Sequence, residues 1–303
     1  MINKSSNKLK KPILPVILPL GLLLVFYWVI FLLPNTLIVG QSDSLAISPE
    51  KSREVLTLSR SYLAQEKYLE ALELTQQLHN AYPNNHIYLD QLATIHKKLN
   101  QYQEQAETLE KFLKVAPLPS EACAELQEAY RRQNKFKKMV DACERCLALE
   151  PRNGDLIFYL GHAYELAQQY DKAKETYLKG VSLDPNYLDQ SVGLARVYFF
   201  QNNIKQAEIL LIDVLEKNPK FVDGLLLMAM IENRKNNNSQ AKEYLEKGLS
   251  ITPNYPDFYL ILGNIAEEEK DVSLAIKYYD QALKIDPNNK EFQNKRQKLS
   301  TKN

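Results

Sequence analysis

Prolines stand at positions 83, 117, 151, 185, 219, 253 and 287, and every interval between them is 34 residues. Self-similarity at a fixed period of this size marks a repeat architecture, in which one small unit cannot bury its own apolar face and must stack on its neighbours. Counting back from each proline gives seven units, 52–85, 86–119, 120–153, 154–187, 188–221, 222–255 and 256–289, with no insertion or deletion. Composition adds little to this, because 45% hydrophobic and 25% charged residues are ordinary globular usage.

The recurring residues have a physical logic. Position 8 is small at Ser59, Ala93, Gly161, Ala195, Ala229 and Gly263, and position 20 is Ala71, Ala173, Ala207, Ala241 and Ala275. Small side chains on facing helices let two backbones approach closely. Position 11 carries Tyr62, Tyr130, Tyr164 and Tyr198 as large fillers beside those gaps. Position 15 carries Asn100, Asn134, Gln168, Asn202 and Asn236, which suit a turn between helices, and the proline at position 32 ends the second helix. This pattern resembles the tetratricopeptide repeat. The resemblance implies an all-α fold, a right-handed α-solenoid superhelix of helical hairpins. Residues 290–303, with Phe292 and Leu299 among polar neighbours, read as a C-terminal capping helix. His96 and Gln105 in unit two, Gln127 and Met139 in unit three, and Glu232 and Asn238 in unit six depart from the pattern. Units two and six are therefore expected to be locally looser.

A second element precedes the repeats. Residues 1–12 form a basic tip with Lys4, Lys8, Lys10, Lys11 and no acid. Residues 13–33 carry no charge, and as a helix they would span about 31 Å, the hydrocarbon thickness of a bilayer. They read as a single transmembrane helix, and residues 34–51 as a linker. Lysines before the span, and only acids after it as far as Lys51, put the N-terminus in the cytoplasm and the repeats on the other side. The alternative is a signal peptide cleaved near Ser44-Leu45-Ala46, leaving a secreted or periplasmic protein.

In tetratricopeptide proteins the first helix of each unit lines a concave groove. A helical wheel puts positions 4, 7, 8 and 11 on one face, toward the core, and positions 2, 5, 6, 9, 12 and 13 opposite. The second set is mostly polar in units one to three. In units four to seven it holds Phe158, Tyr159, Val192, Phe199, Phe200, Leu226, Leu227, Met230, Leu260 and Ile261, punctuated by His162, Arg196, Asn233, Arg234 and Asn264. Apolar residues on the non-core face of four successive helices form a candidate surface for an apolar segment of a partner protein. The competing reading is packing between neighbouring first helices, which buries positions 5 and 12 in part. The carboxylate clamp of chaperone-binding members needs Lys and Asn in one unit, Asn in the next, and Lys and Arg in the third. Leu56, Arg60, Gln91, Glu121 and Glu125 stand there instead, so an acidic chaperone C-terminus is not an expected partner.

Catalytic signals are weak. Cys143 and Cys146 have CxxC spacing but fall mid-helix on the core side, and read as packing residues. A bridge from Cys123 to either stays open for an exported domain. No further ligands stand at zinc spacing. Asp155, Asp189, Asp223 and Asp257 all occupy position 2, where the helix dipole favours acids. Formal net charge is +1, which does not suit a nucleic-acid binder. The sequence thus predicts a non-catalytic, membrane-anchored scaffold without a cofactor or metal. A self-associating envelope protein and an enzyme's regulatory subunit are the alternatives.

Overall fold

In the computed structural model, residues 47–115 and 120–300 are described. They form fifteen helices and no strand. Unit one contributes α1 (Pro49–Ala64) and α2 (Tyr68–Ala81), unit two α3 (His86–Lys98) and α4 (Tyr102–Phe112), and unit three α5 (Ser120–Arg132) and α6 (Phe136–Leu149). Then come α7 (Gly154–Leu166), α8 (Tyr170–Leu183), α9 (Leu188–Phe200), α10 (Ile204–Lys217), α11 (Val222–Arg234), α12 (Asn238–Ile251), α13 (Pro256–Glu268) and α14 (Val272–Ile285). The last helix is α15 (Lys290–Ser300). Helix α1 starts at Pro49, inside the stretch read as linker. Ser48 caps it by accepting from Lys51 N at 3.3 Å, and proline takes the first helical position. No helix among the described residues is long and apolar enough to cross a membrane. The basic tip, the 13–33 span, the 44–46 cleavage site and most of the linker lie outside the described residues.

Each hairpin turns the same way. Position 15 has a positive φ in all seven units, from 54° at Asn134 to 65° at Lys270. The next amide donates back to position 11, as from Gln101 N to His96 O at 2.8 Å and Asn237 N to Glu232 O at 2.9 Å. This closes the first helix with a left-handed residue in the Schellman manner. Asparagine tolerates that conformation better than other non-glycine residues, which explains its recurrence there.

Within a unit the first helix packs on the second, the second packs on the next first helix, and successive first helices touch. The core runs through these layers as overlapping clusters of Ala, Leu, Tyr and Val. At its end Phe292 and Leu299 of α15 are buried against α14, so the capping helix closes the last unit. The small residues at position 8 match the expectation, but their main filler is position 24. A Cβ on Gly161 would stand 2.5 Å from the Tyr177 ring, and one on Gly263 would stand 2.4 Å from Tyr279. Both tyrosines are fully buried. Tyr130 and Tyr164 at position 11 are buried as well, with hydroxyls donating to Glu110 and Glu144 of the preceding unit.

Units two and six hold their irregular positions with polar bonds. Glu232, buried at position 11, accepts from Asn237 Nδ2 at 2.7 Å and Lys235 Nζ at 2.9 Å. Burial alone would raise its pKa, but these donors take the carboxyl below its usual range. In unit two His96 Nδ1 is 2.8 Å from Gln101 Oε1. The cysteines divide. Cys123 of α5 and Cys146 of α6 form a disulfide, with Cα atoms 6.2 Å apart, and Cys143 is free and buried. The packing reading therefore holds for Cys143 alone, whose thiol is pushed up to about 12 by burial, then by Glu144. Position 4 and position 27 face each other across the hairpin, which selects Cys146 over Cys143 as the partner.

Candidate functional site

The first helices α7, α9, α11 and α13 lie side by side and carry the candidate surface. Their contact with one another decides which of its apolar side chains remain accessible. Val192, Phe199, Leu227 and Leu260 are buried. Position 5 of α9 (Val192), position 6 of α11 (Leu227) and position 12 of α9 (Phe199) fill a shared cluster between units five and six. Phe199 is covered further by Arg234, whose guanidinium lies 3.8 Å from the ring centroid and donates to Phe199 O at 2.9 Å. Val192, Phe199 and Leu227 are packing between repeats, and Leu260 packs in the cluster that unit seven forms with the capping helix. Phe158, Tyr159, Leu226, Met230 and Ile261 are half-buried and keep an outward edge. Phe200 is exposed and stacks on Tyr170 of α8 at 5.7 Å, at the hairpin-turn end of the surface.

The polar members are held from beneath. His162 stacks on Phe158, with centroids 6.2 Å apart and planes within 6°. Its Nδ1 is 2.9 Å from Gln127 Nε2 of α5. Burial, then the cations of Arg196 and Arg131, lowers its pKa to about 4, so the ring is neutral. With Gln127 donating, Nδ1 accepts and Nε2 carries the proton. Arg196 Nε lies 2.7 Å from Oε1 of Glu165, and Tyr177 donates to Oε2 of Glu165 at 3.2 Å. Burial raises the Glu165 pKa in spite of that arginine. Asn233 donates to Glu268 Oε2 at 2.8 Å, and Asn264 accepts from Tyr279 and from Lys295 of α15 at 2.9 and 2.8 Å. The two asparagines therefore tie neighbouring elements together.

One edge of the surface is acidic. Asp155, Asp189, Asp223 and Asp257 stand in the first turns of the four helices, where the dipole favours them. Asp155 accepts from Tyr187, and Asp223 accepts from Tyr255 at 3.1 Å. Asp189 and Asp257 have pKa values raised by burial and by neighbouring carboxylates. The sequence reading missed the Glu165–Arg196 pair and the Lys295–Asn264 bond. Both join residues 31 positions apart, one repeat less one helical turn, and that separation is the signal that could have found them. No group of three or more His, Cys, Asp or Glu among the described residues is placed to hold a metal.

Repeat length, turn geometry and paired-helix packing coincide with one family. Models of the tetratricopeptide repeat match residues 88–117, 122–157, 154–187, 222–255 and 256–289, together more than half of the chain. The chain is a tetratricopeptide-repeat protein. Among solved structures it is similar to a tetratricopeptide repeat protein from Parabacteroides merdae, at 16% identity and a TM-score of 0.74, covering 83% of this chain and 99% of that one. It is also similar to pilF of Pseudomonas aeruginosa, at 18% identity and a TM-score of 0.50, covering 72% of this chain and 97% of that one. At such identities the likeness is one of fold. Curated proteins give no match. As a tetratricopeptide-repeat solenoid the chain has the architecture of a protein–protein interaction scaffold, and proteins of this family are generally non-catalytic.

Proposed function

We propose that the chain is a membrane-anchored scaffold that holds an apolar segment of a partner protein against the first helices of units four to seven, in the assembly or tethering of a membrane or exported complex. The observation that carries this reading is the row of half-buried Phe158, Tyr159, Leu226, Met230 and Ile261, which keep an apolar edge outward beside an acidic rim. Side chains of this kind anchor helices and extended segments in grooves. Residues 13–33 supply the anchor in this proposal, with the N-terminal tip cytoplasmic and the repeats on the far side. The Cys123–Cys146 disulfide supports that side, because such bonds persist in oxidising compartments.

Crosslinking of the full-length chain in intact membranes, followed by mass spectrometry, tests the reading. A Met230→Glu/Ile261→Glu variant with unchanged helicity and melting should lose a dominant partner that the native chain captures. Equal capture by both chains would refute the surface.

A further inference from the structure

Each of the seven units serves as a control for the others. On the outward face of the second helix, position 22 is Glu73, Glu107, Asp141, Glu175, Glu243 or Lys277 in six units. Position 25 is Gln76, Glu110, Glu144, Glu246 or Asp280 in five. Unit five places Ile209 and Ile212 there, 68% and 50% exposed, and unit four places Leu178 at position 25, 45% exposed. At position 25, Glu110 and Glu144 serve the chain itself by accepting from the tyrosine of the next unit. Leu178 offers Tyr198 of the next unit no such acceptor, and the position-11 residue that follows Ile212 is Glu232, whose donors are Asn237 and Lys235. Exposed as they are, Leu178 and Ile212 also gain little from burial within the chain.

The exposed line along α10 is Lys205, Ile209, Ile212 and Glu216. Its intervals of four, three and four keep all four side chains on one stripe of the helix. The spacing reads the same in both directions, and the two ends carry opposite charges. Neither Lys205 nor Glu216 has an ion-pair partner among the described residues, whereas the adjacent Lys217 is paired with Asp213 at 2.7 Å.

We infer that this stripe docks on the same stripe of a second copy of the chain, with the two α10 helices antiparallel about a twofold axis between Leu210 and Leu211. That axis sets Ile209 of each copy opposite Ile212 of the other, and Lys205 of each opposite Glu216 of the other. A parallel arrangement would face lysine with lysine and glutamate with glutamate, so the charges select the antiparallel one. Leu178, at the equivalent position one unit earlier, extends the apolar face. The contact is isologous, so it closes at two copies and leaves the first-helix surface free. A single helix pair buries less than the roughly 800 Å² per partner of a standard interface, so the dimer is weak and reversible.

Sedimentation equilibrium of the full chain in a density-matched neutral detergent tests this, with far-UV circular dichroism as the check on folding. The native chain should associate with concentration, and Ile209→Glu/Ile212→Glu should be monomeric. Lys205→Glu and Glu216→Lys should each associate roughly tenfold more weakly, since each sets like charges opposite one another twice. Mixed together, these two variants should associate again, because every facing pair is then of opposite sign. A native chain that stays monomeric would overturn the proposal and leave the stripe to lipid or to another protein. Association that survives Ile209→Glu/Ile212→Glu, or single variants that fail to complement, would overturn it equally.

Discussion

In unit four, helix α8 brings Ala173, Tyr177 and Gly180 to its partners, and in unit three, helix α6 brings Met139, Cys143 and Cys146 to the same three places. All of these side chains are buried in both units. Tyr177 fills the space over Gly161 and over Gly193 of the next unit, where an added Cβ would come within 2.5 Å of its ring. Unit three moves the volume instead of losing it. Methionine replaces alanine one turn before the filler, and the filler shrinks to cysteine. Gln127, at the place of Gly161, turns toward Tyr159 O and His162 of the next unit. The disulfide then ties α5 to α6 where unit four relies on shape. The repeat preserves summed volume and a closed hairpin, and residue identity is free to vary within that constraint.

The largest break of this comparison is Tyr177→Ala, which empties a fully buried ring site shared by two units and should cost about 3–5 kcal/mol in urea unfolding. A loss below about 1 kcal/mol would show that the glycines collapse onto the space. Next comes Cys123→Ser, which removes the tie of unit three and should cost about 2–4 kcal/mol. Unfolding of the native chain should be sensitive to reductant, and that of Cys123→Ser should not. Equal reductant sensitivity would deny the bond its role. A smaller effect, about 1–3 kcal/mol, is expected of Ala173→Met, which copies the methionine of unit three into unit four. Adding Tyr177→Cys should then cost less than it does in the native background, because the two changes exchange volume along one helix face. Additive losses in a double-mutant cycle would rule out that exchange.

The mildest test uses pH. Burial, then the cations of Arg196 and Arg131, lowers the folded pKa of His162 from the usual 6.5 to about 4. Above 6.5 both states are neutral there. As pH falls from 6.5 toward 4 the unfolded chain takes up a proton that the folded chain refuses, so stability falls across that window. His162→Gln should flatten the slope between those values in equilibrium unfolding. An unchanged slope would mean that the ring is protonated in the folded protein.

The number of units, the hairpin turns at Asn100, Asn134, Asn202 and Asn236, and the capping helix were all legible in the sequence. Each follows from residues close together in the chain or from exact repetition. The candidate surface was legible only as a face. Phe158 and Val192 occupy position 5 of adjacent first helices, yet one keeps an outward edge and the other is buried. No local pattern separates them, because the difference lies in what the neighbouring helix brings against each. Phe199 is hidden by Arg234, which stands 35 residues away.

The sequence by itself determined a stack of seven two-helix units, since a strict 34-residue period of small, aromatic and proline positions admits no other way to bury its apolar faces. The tertiary structure alone decided which cysteine Cys123 takes, which groove side chains are really packing, and that Ile209 and Ile212 stand in solvent. Those outcomes depend on distances between helices, and helix spacing is set by the summed volumes of many side chains rather than by any one position.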